Sequence, residues 1–203
     1  MEPFALSPWE YEEVKAWWAA GHPGAVASDL GVGCWNDWVQ VILNPAAFAQ
    51  RIGAVDWTAF HTAYGRADGV PNQLLQLASP DKAMALKASD ELSSGLCHQH
   101  VQVGSAALPA FPFILEVMEA ADDALEYEIL DIILGLAKGV NRKRHVDFRK
   151  SIGREPLPDP EWVIALRGLL VNAADRFKAL GAHSNADVAE SAHSILQELS
   201  AGE

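Results

Sequence analysis

The chain is poor in cysteine, in basic residues and in long apolar runs, and each shortage removes a class of protein. Two cysteines in 203 residues, Cys34 and Cys97, are too few and too far apart for a disulfide framework or a four-cysteine zinc site, and they suit a reducing cytoplasm. No apolar stretch approaches the roughly 18 residues that a membrane span requires. Met1-Glu2-Pro3-Phe4-Ala5 carries no basic segment leading into an apolar one, so a cytoplasmic chain with no membrane partner is expected. Lys and Arg number 15 against 27 Asp and Glu, a net charge of −12. That is the wrong sign for neutralising phosphates, and it argues against nucleic acid as a partner. Half of the residues are apolar and 21% are charged, enough to bury a sizeable core in one domain.

The charge is uneven. Residues 138–154 hold seven basic groups, Lys138, Arg142, Lys143, Arg144, Arg149, Lys150 and Arg154, and one acidic group, a +6 island in a chain that is otherwise −18. The plain reading is a solvated loop between helices that offsets acidic helix faces; the functional reading is a contact patch for an anionic group. Tryptophan is uneven too: Trp9, Trp17, Trp18, Trp35, Trp38 and Trp57 precede residue 60, and only Trp162 follows. A core of large side chains closing one end of the fold is the expectation, whereas exposed Trp would suit a binding hot spot.

Helix signals dominate. Ser7-Pro8 followed by Trp9-Glu10-Tyr11-Glu12-Glu13 gives a cap, a proline in the first turn and an acidic start, predicting a helix to about Ala20. A glycine-rich loop follows over 21–34, Asn36 caps a second helix, and Pro45 starts a third through Ile52. Val70-Pro71 opens a short helix with Leu74, Leu75 and Leu77; Ser79-Pro80-Asp81 breaks it and begins a longer one with Met84, Leu86, Ala88, Leu92 and Leu96. A shift of 41 residues reproduces much of this: Phe111-Pro112 on Val70-Pro71, Leu115 on Leu74, Asp122 on Asp81, Leu125 on Met84 and Ile133 on Leu92. A short helix, a tight turn and a longer helix cannot bury their apolar stripe alone, so such units stack. Asp159-Pro160-Glu161 starts a helix with Trp162, Leu166, Leu169, Leu170 and Phe177, and Ser184 caps a last one with Val188, Ala192, Ile195 and Leu199.

Trp57, Tyr64-Gly65, Val70-Pro71, Ser79-Pro80-Asp81, Asp90-Glu91-Leu92, His98-Gln99 and Phe111-Pro112-Phe113 resemble bacterial HEAT-like repeat proteins over residues about 57 to 137. In that family's pattern Gly usually follows the His-Gln step, where this chain has His100. The resemblance implies an all-α fold, a HEAT/armadillo-like α-solenoid of stacked antiparallel helix pairs, and protein binding without a particular reaction. The expected organisation is one domain: a Trp-rich helical cap over 1–56, HEAT-like repeats over 57–137, a basic linker loop over 138–159 and a closing helical pair over 160–203.

Enzyme signatures are weak. Cys97-His98-Gln99-His100 is the densest set of potential metal ligands, but helix ends commonly place His near terminal carbonyls, so no metal and no cofactor is expected. HEAT-type iron enzymes such as deoxyhypusine hydroxylase rest on His-Glu steps, and the chain has no His-Glu dipeptide. Gly31-Val32-Gly33 lacks the rest of a dinucleotide fingerprint, and no Walker-type Gly-Lys-Ser/Thr occurs. The expectation is a non-catalytic protein-binding module, its acidic helix faces meeting a basic protein. One role the resemblance implies is immunity, the masking of a cognate bacterial toxin domain. The alternatives are a general HEAT-like adaptor and a HEAT-like nucleic-acid or metal-dependent enzyme. Candidate contact residues are His98, Gln99, His100 and Gln102 around a helix end, and Arg142, Lys143 and Arg144 in the island.

Overall fold

Pro45, Pro71, Asp81 and Asp122 stand at helix starts, as their sequence context predicts. In a computed structural model, which describes residues 45–100 and 102–201, helix α1 (Pro45–Gly53) begins at the expected proline. A 3-10 turn (Trp57–Ala59) follows, capped by Asp56, whose Oδ1 accepts the Thr58 amide at 3.2 Å. Strands β1 (His61–Thr62) and β2 (Gly65–Arg66) then form a two-residue hairpin. Helix α2 (Val70–Leu77) has proline in its first turn. Helix α3 (Lys82–Leu96) is capped by Asp81, which accepts the Ala83 and Met84 amides at 2.9 and 3.2 Å. A second hairpin, β3 (Cys97–His98) and β4 (Gln102–Val103), leads into α4 (Ala107–Met118) and α5 (Asp123–Gly139), the latter capped by Asp122. Helices α6 (Arg142–Ser151), α7 (Glu161–Asn172), α8 (Ala174–Leu180) and α9 (Ala186–Ala201) complete the described chain. The all-α class holds.

The helices form two rows. Helices α1, α2, α4 and α7 pack in that order in one row, and the longer α3, α5 and α9 pack in that order in the other. Between the rows lie Leu74, Leu92, Phe111, Ile114, Ile129, Ile133, Leu166 and Ile195, all with 1% exposure or less. The row helices other than α4 each bury one stripe at helical spacing and leave their polar side outward, whereas α6 has no buried residue. The central helix α4 buries residues all round its circumference, because α2, α5 and α7 pack against it. Trp57 is buried and its indole N–H donates to the Ile52 carbonyl at 2.9 Å; Trp162 is half-buried. The other five tryptophans, Cys34, the two helices expected before residue 45 and the loop over 21–34 lie outside the described residues.

Several expectations need correction. The repeat is a hairpin, a short helix and a long helix, and its spacing is not constant. The caps Asp81 and Asp122 are 41 residues apart, but the first helices start 37 apart, at Val70 and Ala107. Helix α4 has 12 residues where α2 has 8, and the extra four are about one turn. Phe111-Pro112 therefore lies inside α4 and does not open it. The basic linker loop over 138–159 is for the most part helix: its first residues end α5, and Asn141 caps α6 by accepting the Arg144 amide at 3.2 Å. Within it only residues 140–141 and 152–159 lie outside helices. The closing pair is three helices, since the helix expected to run through Phe177 breaks at Ala173. Asn185, and not Ser184, caps the last helix, its Oδ1 accepting the Asp187 amide at 3.0 Å.

Candidate functional site

Helix α5 presents Gly135 and Gly139, four residues apart and hence on one face. A Cβ on Gly135 would meet Cys97 Sγ at 2.6 Å and His100 Cδ2 at 2.7 Å, and one on Gly139 would overlap the Val103 side chain. The glycines cut a smooth track that lets the β3–β4 hairpin lie directly on the helix. The Cys97 thiol lies 3.3 Å from the Ser93 carbonyl and 3.6 Å from that of Ile132. Burial, with a smaller contribution from the Asp131 charge, pushes it up to about 12 despite the Ser93 hydrogen bond. A thiol so held is no nucleophile at neutral pH, which removes a Cys-His reaction at this hairpin.

The hairpin turn is left-handed at two adjacent non-glycine residues, Gln99 (φ 51°) and His100 (φ 55°). Such backbone costs about 1–3 kcal/mol per residue and persists only where surroundings enforce it. His100 supplies the enforcement. Its amide donates to the Cys97 carbonyl at 2.8 Å, its ring Nε2 lies 3.2 Å from Asp131 Oδ2, and its Nδ1 lies 3.3 Å from Lys138 Nζ. A carboxylate only accepts and an ammonium only donates, so in this geometry Nε2 is the donor and Nδ1 the acceptor. At the first turn of α5, Glu126 faces His183 from the turn between α8 and α9: His183 Nδ1 accepts the Asn185 amide at 3.1 Å and its Nε2 lies 3.6 Å from Glu126.

The first hairpin leans on the second. Ala63 N–H donates to the Gly95 carbonyl at 2.8 Å, Ala106 N–H to the His61 carbonyl at 3.0 Å, and His61 N–H to Ser105 Oγ at 3.0 Å. Tyr64, 68% exposed, sets its hydroxyl 2.5 Å from His98 Nδ1, with the rings edge to face at 5.1 Å. Gln99 and Gln102 are exposed, and Gln102 pairs with His98 in the ladder. The four hairpin residues singled out in the sequence thus form one ridge, and no sequence signal points to the Tyr64 contact.

The island residues fare differently. Arg142 binds Asp159 at 2.9 Å and the Leu157 carbonyl; Arg144 binds both carboxylate oxygens of Glu198, one at 2.6 Å. Burial alone would raise the Asp159 carboxyl, but hydrogen bonds from Arg167 and Arg142 hold it below the usual range. Arg144 is the first cause of a lowered Glu198, which burial opposes and the Asn141 amide supports. Of the three candidates, Lys143 alone is without a hydrogen bond or ion pair among the described residues and faces solvent.

Carboxylates dominate the outer side of α3 and α5. Burial raises the Glu128 carboxyl, and the nearby charges of Asp131 and Asp90 raise it further. Neither Asp90 nor Glu128 has a cationic partner among the described residues. No group of three or more His, Cys, Asp or Glu side chains there is placed to hold a metal ion, and no described helix is long and apolar enough to cross a membrane. No family model, curated protein or solved structure matches the chain.

Proposed function

We propose that the chain is a short HEAT-like α-solenoid that binds a basic protein and performs no chemistry of its own. Its best-fitting role is the masking of a cognate toxin domain in the cell that makes it. The observation that carries this reading is the crowding of Asp90, Glu128 and Asp131 on the outer side of the long-helix row, two of them without a cation. Like charges held together cost free energy in the unbound chain, and a Lys or Arg from a partner relieves that cost. A DNA-directed reading loses its main support, because Arg142 and Arg144 are occupied by Asp159 and Glu198.

Glu128→Gln is expected to act in opposite directions on stability and binding. A carboxyl raised by folding destabilises the folded chain at neutral pH, and the penalty vanishes below the unfolded value, where the group is protonated in both states. The variant should therefore melt higher than the parent at pH 7 and level with it at pH 3.5, in thermal scans followed by circular dichroism, while binding its partner more weakly. Co-expression with the neighbouring open reading frame, followed by co-purification and a toxicity assay, tests the function itself. A basic protein should be retained, salt should release it, and its toxicity should be suppressed; absence of any retained protein and of any rescue overturns the reading.

A further inference from the structure

Among the described helices α6 alone has no buried residue. Short helices draw most of their stability from a packed apolar face, and α6 instead hangs on polar tethers at its root. There Asn141 and Arg144 hold Glu198, and Arg142 holds Asp159. The far end of the helix and the turn after it, residues 150–155, are exposed at every position. Phe148 and Ile152, one helical turn apart, are 59% and 48% exposed. Lys150 and Arg154 have no carboxylate partner among the described residues, and Arg149 donates to the Glu155 carbonyl at 2.9 Å. Lys143, two turns back on the same side as Lys150, is likewise unpaired. Against these four cations stand the carboxylates of Asp147 and Glu155, so the tip is left positive.

Helix α5 carries the opposite pattern. Glu128 and Asp131 are three residues apart and Tyr127, 41% exposed, is four from Asp131, so the three share a side of the helix. Asp90 of α3 adjoins them, while Lys87 is taken by Glu91 at 3.5 Å. The charges that act on Glu128 are those of Asp131 and Asp90, both negative, so the α6 cations of the same molecule do not reach it. The two surfaces complement each other in charge and meet only when two molecules do.

We propose that the α6 tip of one molecule docks on the α3–α5 carboxylate side of a second copy, with Lys150 and Arg154 on Asp90 and Glu128. Tyr127 offers Phe148 an aromatic neighbour there. Two chains of net charge −12 repel over distances that physiological salt screens beyond about 8 Å, which leaves the contact charges to decide. The surfaces differ, so the contact runs head to tail and builds chains or a ring. It also covers the carboxylates offered to a basic partner, so the partner and a second copy compete. That competition rests on the function proposed above; the contact between copies does not.

Sedimentation velocity on the purified chain tests the contact. The mean mass of the parent should rise with concentration at low ionic strength and return to that of the monomer at high ionic strength. Lys150→Glu with Arg154→Glu, and separately Asp90→Asn with Glu128→Gln, should each weaken association on the order of tenfold. The tip variant should melt with the parent, since neither side chain is bonded within the chain. Mixed in equal amounts, the two variants should form a complex that stops at two molecules, because one keeps the tip and the other the carboxylate side. A parent that stays monomeric at every concentration and salt, a tip variant that associates like the parent, or a mixture that forms no pair overturns the proposal. A monomeric parent whose tip carries it onto phosphatidylserine vesicles also overturns it, assigning the cations to a membrane. Self-association that a basic partner fails to displace upholds the contact and overturns the competition alone.

Discussion

Gly104→Ala is expected to destabilise the protein by on the order of 3 kcal/mol, at the upper end of overpacking effects. The added Cβ would press on the His61 carbonyl oxygen and lie 2.7 Å from Thr62 Cα and 2.8 Å from Thr62 C. All three are backbone atoms, so no rotamer change makes room, and the two hairpins must part. Parting them breaks the Ala106 to His61 bond and strains that from Gly104 N–H to the Leu96 carbonyl, each 3.0 Å long. For a chain of this size the loss corresponds to a fall of roughly 10 °C in melting temperature. Gly95→Ala is the control with opposite sign: it lies in the last turns of α3, where the nearest atom to an added Cβ is the Thr62 methyl at 3.9 Å. Removing backbone freedom in a helix should there gain about 0.5–1 kcal/mol. Urea unfolding of both variants checks the pair; equal effects would mean that the hairpins do not meet at Gly104.

Phe111→Ala should cost about 3–5 kcal/mol, the most of any single truncation in the core. The side chain is 1% exposed on α4, the helix with neighbours in both rows. How much a cavity costs depends on whether its walls can close. Here α2 and α7 flank α4 within its row and α5 backs it from the other, so collapse toward one side opens a gap on another. Phe113, 8% exposed on the same helix, lies edge to face with Phe48 at 5.6 Å and near the Arg51 guanidinium, whose stem can fold over a truncated site. Phe113→Ala should accordingly cost less. Denaturant midpoints for the two variants decide this, and a larger loss at position 113 would refute the central place of α4.

What could be read from the sequence was whatever is decided within one turn of chain. Asp81 and Asp122 cap because their carboxylates reach amides two or three residues on, and proline at positions 45 and 71 fits a first turn wherever it occurs. Helix α6 is not legible in the sequence because its apolar residues are few and its hold is remote. Asn141 and Arg144 reach Glu198, 57 and 54 residues away, and Arg142 reaches Asp159. A charge run with such partners looks like solvated loop until the partners are in place. The strands are two residues long, below any readable period, and the turn that joins the second pair uses Gln-His where local rules ask for Asn-Gly. Its cause lies in Asp131 and Lys138. The repeat is legible at the caps and not at the helix starts, since one inserted turn keeps the buried stripe nearly in phase while shifting every residue before it. Within the candidate site, the residue types were visible and their pairing was not.

Cys97 gives the hairpin contact a clock. Its sulfur is enclosed by Ser93, Ile132 and the Gly135 track, and the thiol stays protonated at every physiological pH. Native molecules offer an alkylating reagent neither a path nor a thiolate, so reaction waits for the hairpin to lift from α5. The rate at which Cys97 is consumed thus counts individual openings of the ridge, and with Cys34 replaced by serine the chain times its own local motion without an added label.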